Sequence, residues 1–134
     1  PFSTRPYQHV LEPLYAYLMI AAKQYEDRSF AGWYNVGPDE TDCFQTGALV
    51  DLFVRHWGGG LRWINACDGG PHEANFLKLD CSKLKSVFGW RPHWNLDTAV
   101  AKTVEWSKCW LNGEDVRACM DQQIHEFLNE GDVE

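Results

Sequence analysis

Apolar residues recur every three or four positions between Val10 and Tyr25, at Val10, Leu14, Tyr17, Leu18, Ala21 and Tyr25, which predicts a helix with these side chains on one face. Pro13 fits that helix only in its first turn, where its missing N–H is not needed, so the helix should begin near Leu11 or Glu12. Residues 5–9 then form the loop that feeds it. The aromatic and β-branched run Trp33-Tyr34-Asn35-Val36, closed by Gly37-Pro38, reads as a strand with a sharp stop. Leu49, Leu52, Phe53 and Trp57 set a helix over residues 44–57 that ends at Gly58-Gly59-Gly60. Two short alternating runs, 61–64 and 76–79, read as further strands. Asp80 or Ser82 can cap a short helix reaching Phe88 and stopped by Gly89. Asn95 caps a longer one that ends at Asn112-Gly113. A last helix from about Asp115 carries Val116, Met120, Ile124, Phe127 and Leu128 on one side.

Helices outnumber strands, and the strands do not alternate with helices often enough to build a doubly wound sheet, so the fold class is helix-dominated α+β. With 134 residues, 45% of them hydrophobic, the chain has enough material for one compact domain and too little for two. Residues 1–134 read as a single lobe, with 114–134 an extra C-terminal helix. A net charge of -7 argues against nucleic acid and anionic membranes as partners, because both recruit Lys/Arg-rich faces. No stretch approaches the roughly 20 apolar residues of a membrane span, and the first residues lack the pattern of a signal peptide. A cytoplasmic location is expected. The five cysteines are scattered with no Cys-x-x-Cys pair, which suggests reduced thiols rather than a disulfide framework or a zinc ribbon. A chain opening on Pro1 also suggests a piece cut from something longer.

Candidate chemistry is concentrated before the first helix. Arg5 carries a planar fork suited to grip an anion with two parallel hydrogen bonds, and Gln8 and His9 add neutral donors and acceptors. The competing reading makes Arg5 a member of a surface ion pair and His9 a satisfied helix-entry residue. Asn35, at a strand end, either presents its amide to a ligand or satisfies a turn. His72 and Glu73 follow Gly69-Gly70-Pro71, which would allow close approach to a ligand, although neighbours on an extended segment point to opposite faces and do not form a dyad. The five histidines have no i, i+4 pair and no neighbouring cysteine cluster, so no metal site is expected. Most of the seven tryptophans, Trp57, Trp106 and Trp110 among them, read as core. Gly58-Gly59-Gly60 follows a helix, whereas phosphate loops precede one. No Gly-x-Gly-x-x-Gly turn, Tyr-x-x-x-Lys pair or Walker loop occurs, so no catalytic residue and no cofactor site are expected within this chain.

Several of these segments together carry a resemblance. Arg5-Pro6-Tyr7-Gln8-His9-Val10-Leu11-Glu12-Pro13-Leu14, Tyr34-Asn35-Val36-Gly37-Pro38, His72-Glu73-Ala74, the run from Leu77 to Lys83, Phe88-Gly89-Trp90-Arg91-Pro92 and Thr103-Val104-Glu105-Trp106 resemble the C-terminal, substrate-binding part of CDP-glucose 4,6-dehydratases. These are nucleotide-sugar enzymes of the extended short-chain dehydrogenase/reductase superfamily. The last two segments resemble the whole superfamily; the first and third are similar to the CDP-glucose branch in particular. The resemblance implies a parent lyase whose Rossmann domain, absent from this chain, binds NAD. It implies oxidation at C4, loss of water across C5–C6 and reduction at C6, giving a CDP-4-keto-6-deoxy sugar for deoxysugar synthesis.

Carried over by position, the resemblance implies that Arg5 contacts the pyrophosphate with Gln8 and His9 beside it. Asn35 would lie near the nucleotide, and His72 and Glu73 on the loop that closes over it. The chain departs from related dehydratases at Gly69-Gly70, where they have a second phosphate-gripping Arg. A CDP-sugar substrate, a homo-oligomeric state, no activity in the lobe alone, and an apolar surface that faces the missing domain are the corresponding expectations. Two other readings stay open: a lobe of another nucleotide-sugar epimerase or dehydratase, and a helical interaction or small binding module without catalysis.

Overall fold

The computed structural model describes residues 1–66 and 75–130. In chain order it contains β1 (Thr4–Pro6), α1 (Leu11–Glu26), β2 (Cys43–Gln45), α2 (Thr46–Trp57), α3 (Ser82–Phe88), α4 (Leu96–Leu111) and α5 (Val116–Glu130), with single 3-10 turns at Arg28–Phe30 and Glu40–Asp42. β1 and β2 pair antiparallel, with Arg5 opposite Phe44, and Thr4 also bridges Phe76 in parallel. The described residues are thus helix-dominated α+β, as the pattern predicts.

Helix ends follow local chemistry. The Asn95 side chain accepts from Thr98 N at 2.9 Å to cap α4, and Asp115 Oδ1 accepts from Ala118 N at the head of α5. Gly89 closes α3 in the left-handed region at φ 67°, a conformation that costs a Cβ-bearing residue energy. Gly58, Gly59 and Gly60 all have positive φ and carry the chain off α2, so the triple glycine is a helix stop.

The strands differ from expectation. Residues 33–36 and 61–64 form no strand among the described residues, and of 76–79 only Phe76 makes a bridge. β propensity requires a neighbouring ladder. In 33–36 side chains supply backbone partners, Gln8 Nε2 donating to Val36 O and Lys83 Nζ to Trp33 O, while 61–64 is tied down by the Trp63 indole donating to Asp51 Oδ1. The two strands that do form, β1 and β2, lie where a loop and a helix start were expected.

Two apolar clusters build the interior. Leu52, Leu96, Val100 and Val104 join α2 to α4, with Tyr7, Phe44 and Trp57 packed around them. Ala16, Leu84 and Trp90 join α1 to α3 and its exit. Between them, Phe127 of α5 sets its ring edge-on against Tyr15, His93 and Trp94, so α5 is part of the core.

The inner faces are not the ones predicted. Val10, Leu14, Tyr17, Leu18 and Tyr25 are exposed, Leu18 at 72%, whereas Glu12 and Ala16 are fully buried. α1 is apolar nearly all round, and the side with the smallest residue fits the close approach of Leu84 and Trp90. On α5, Gln123 and Phe127 turn inward and Met120, Ile124 and Leu128 remain exposed at 42–46%. Among the tryptophans only Trp90 and Trp94 are fully interior; Trp110 is 61% exposed and Trp33 92%.

Candidate functional site

The site is built at the corner between β1 and α1. Pairing with β2 on one edge, and with Asn75 and Leu77 through Thr4 on the other, fixes Arg5 in a short strand. Its guanidinium donates to Thr4 O at 2.9 Å. The chain then turns through Tyr7, whose hydroxyl is 2.8 Å from Thr46 Oγ1, into Gln8 and His9.

Gln8 and His9 sit on the ridge between two apolar grooves. One, of about 330 Å³, lies against α2 and α4 and includes Leu49, Phe53 and Val100. The other, of about 520 Å³, lies between α1, α4 and α5 and includes Leu14, Trp106 and Ile124. Thr103 borders both. Gln8 Nε2 reaches Val36 O, and among the described residues no donor reaches its buried Oε1. Gln8 thereby joins the corner to the segment that carries Asn35.

His9 is buried, accepts at Nδ1 from Leu11 N and meets the Trp94 ring edge-on at 4.9 Å. Burial, aided by the Lys102 charge, lowers its pKa, so the imidazole is neutral and acts as a helix-entry acceptor. Asn35 is exposed, and its amide donates to Asp80 O at 3.0 Å, tying the 33–36 segment to the start of α3. Arg5 and Asn35 border neither groove. His72 and Glu73 lie outside the described residues. The structure therefore brings Gln8 and His9 together, links Asn35 to them through Val36, and sets Arg5 three residues upstream on β1.

Glu12 was legible only as part of a motif, yet it organises this corner. Its side chain is fully buried, and Oε1 accepts from His93 N at 3.0 Å and Trp94 N at 2.8 Å. Oε2 lies 3.8 Å from His93 Nδ1. Burial raises its pKa, and the two backbone N–H groups oppose that rise. A glutamate in the first turn of an apolar helix, four residues before the small Ala16, was the available signal. No group of three or more metal-ligating side chains occurs among the described residues, and none of their helices is long and apolar enough to cross a membrane.

The described residues thus form a helix-dominated α+β lobe with a two-stranded sheet at one corner. The described residues contain no strand–Gly-rich turn–helix unit that would cradle a dinucleotide. No family model matches the chain. It is 39% identical over 130 residues to CDP-glucose 4,6-dehydratase of Salmonella typhimurium, and the resemblance read from its motifs is borne out. That similarity covers 96% of this chain, which leaves too few residues outside it to omit α5, and 36% of the length of that protein.

Proposed function

We propose that the chain is the nucleotide-sugar-binding lobe of a CDP-glucose 4,6-dehydratase-type lyase, on the strength of its 39% identity to the Salmonella enzyme over nearly its whole length. In this reading Arg5 holds the pyrophosphate, with Gln8 and His9 beside it. Asn35 lies near the nucleotide, and His72 and Glu73 belong to the loop that covers it. The unfilled acceptor at Gln8 Oε1 and the apolar grooves on either side support a ligand at this corner. His9, neutral and already engaged with Leu11 N, holds the corner in shape rather than meeting charge.

Among the described residues no Gly-rich turn leads from a strand into a helix to cradle phosphates, so in this reading NAD is bound by another part of the parent enzyme. The lobe therefore binds a CDP-sugar and is inactive by itself. The exposed stripe of Leu14, Tyr17 and Leu18 on α1 is the face that meets the dinucleotide-binding part. The whole enzyme is a cytoplasmic homo-oligomer that makes a CDP-4-keto-6-deoxy sugar.

The test is an amide NMR titration of the chain with CDP, CDP-glucose and dTDP, with Arg5→Ala as control. Shifts at residues 5–9 and 35 that favour the CDP ligands and weaken in Arg5→Ala are expected. Equal response to dTDP would remove the CDP assignment; no response to any of the three would remove the binding role of this corner.

A further inference from the structure

The hairpin of α4 and α5 holds a pair of thiols that the nucleotide-sugar reading does not use. Its register follows from side-chain contacts. Lys102 meets Glu126 across the pair, and one step up α4 and down α5, Glu105 Oε2 lies 3.3 Å from Gln123 Nε2. Residues three or four apart share a helix face. The next rung toward the turn is therefore Cys109 on α4 against Cys119 on α5, where Gln123 Nε2 also reaches Cys119 Sγ at 3.9 Å.

Both thiols are free, and both border a cleft of about 510 Å³ at the turn end of the hairpin, with Lys108, Asn112 and Gln122. Cys109 is buried at 7% exposure, while Cys119 is half-buried and so open to a small molecule in the cleft. The turn itself is short and held by Glu114 N donating to Cys109 O at 3.0 Å, which keeps the two helix ends together in either redox state. The described cysteines outside this hairpin, Cys43 and Cys81, belong to β2 and to the residue before α3, so neither shares the rung.

We propose that Cys109 and Cys119 are a thiol–disulfide switch site that exchanges with a low-molecular-weight disulfide of the glutathione type. The Cys119 thiolate attacks one sulfur of the small disulfide. That S–S bond breaks, a mixed disulfide forms on Cys119, and one small thiol leaves with a proton from solvent. The Cys109 thiolate then attacks the Cys119 sulfur and expels the second small thiol. The protein loses two electrons and two protons, and the small disulfide gains them. Burial, the neighbouring thiol and Glu105 raise the Cys119 pKa, and Lys102 opposes them, so exchange is slow at neutral pH and follows sustained oxidation rather than brief pulses. The bond would staple α5 to α4 one residue from Met120, which borders the groove beside Gln8 and His9. Oxidation thus fixes one wall of that groove.

The experiment equilibrates the full chain in mixtures of reduced and oxidised glutathione, traps free thiols by alkylation and maps the peptides by mass. The expected species carries one internal Cys109–Cys119 bond, is about 2 Da lighter than the reduced chain, and reverts with excess thiol. Cys119→Ser should abolish it, and Cys109→Ser should trap a glutathione adduct on Cys119. If Cys109→Ser does not fold, the wild-type map decides. A persistent adduct on wild-type Cys119, alkylation of Cys109 at every ratio, or linkage of Cys119 to any other cysteine would overturn the proposal.

Discussion

Removing the Glu12 carboxylate should damage this fold more than most single changes. Glu12 is fully buried, and its Oε1 receives the backbone N–H groups of both His93 and Trp94, which join the head of α1 to the approach to α4. Glu12→Ala leaves both donors buried without an acceptor, at about 1–3 kcal/mol each, and opens a small void beside His93 and Trp94. A loss of about 3–5 kcal/mol follows, a large share of the roughly 5–15 kcal/mol that holds an ordinary domain. Glu12→Gln keeps one carbonyl oxygen for the two donors and should cost about 1 kcal/mol.

The two variants also separate charge from shape. Burial raises the Glu12 pKa above its ordinary 4.5, so the native state keeps a proton that the unfolded chain has released. This contribution to stability is full below 4.5 and is lost as pH rises through the raised native value. Gln cannot titrate and lacks that loss, so the gap between wild type and Glu12→Gln should narrow as pH rises. The assay is urea unfolding across this range, repeated with His93→Phe to remove the imidazole 3.8 Å from Oε2. A Glu12→Ala loss below about 1 kcal/mol would show that the two N–H groups find other acceptors. A gap that widens with pH would refute the buried-carboxyl argument.

Four smaller effects can be checked alongside. Asn95→Ala removes the cap on Thr98 N and should lower stability by about 1 kcal/mol in the same urea assay. Gly89→Ala meets no side-chain obstruction, so its cost of about 1 kcal/mol should come from the left-handed backbone alone, and Gly89→Asn should recover part of it. Lys102 lowers the Glu126 pKa, so the stability from this pair is present above 4.5 and fades as pH falls through the lowered native value. Lys102→Met should reduce that acid dependence, measured as the slope of unfolding free energy against pH, with the Gln122 amide at 2.8 Å keeping part of it. Leu18→Lys, at a 72% exposed position on the α1 stripe, should leave stability within about 0.5 kcal/mol of wild type. The stripe left open in the lobe alone predicts self-association by light scattering; Leu18→Lys should reduce it, and unchanged association would mean that another surface is used.

Helices were legible because their signals are local: the 3.6-residue period, Asn95 and Asp115 at the starts, Gly58 and Gly89 at the stops. Their inner faces were not, where more than one face is apolar. α1 presents Leu14, Tyr17 and Leu18 on one side and Ala16, Met19 and Ile20 on another, and periodicity assigns no preference between them. The choice is made by Leu84 and Trp90, which need a small partner and find Ala16. The same limit explains the strands. Trp33-Tyr34-Asn35-Val36 has strand-like residues but no ladder, whereas Thr4-Arg5-Pro6 pairs with β2 despite its proline.

The corner around Gln8 shows why a site is read less fully than a fold. Residue type alone singled out Arg5, Gln8, His9 and Asn35, but their roles depend on partners tens of residues away. His9 is spent on Leu11 N and Trp94, and Asn35 on Asp80 O, so two candidates already have structural work. Gln8 keeps an acceptor, and Glu12, which composition would place in solvent, is interior because two amides at 93 and 94 come to it. A burial that costs a carboxylate its hydration is tolerated only where such donors are fixed. The polar residue that most constrains the corner was therefore the one whose partners no local pattern could supply.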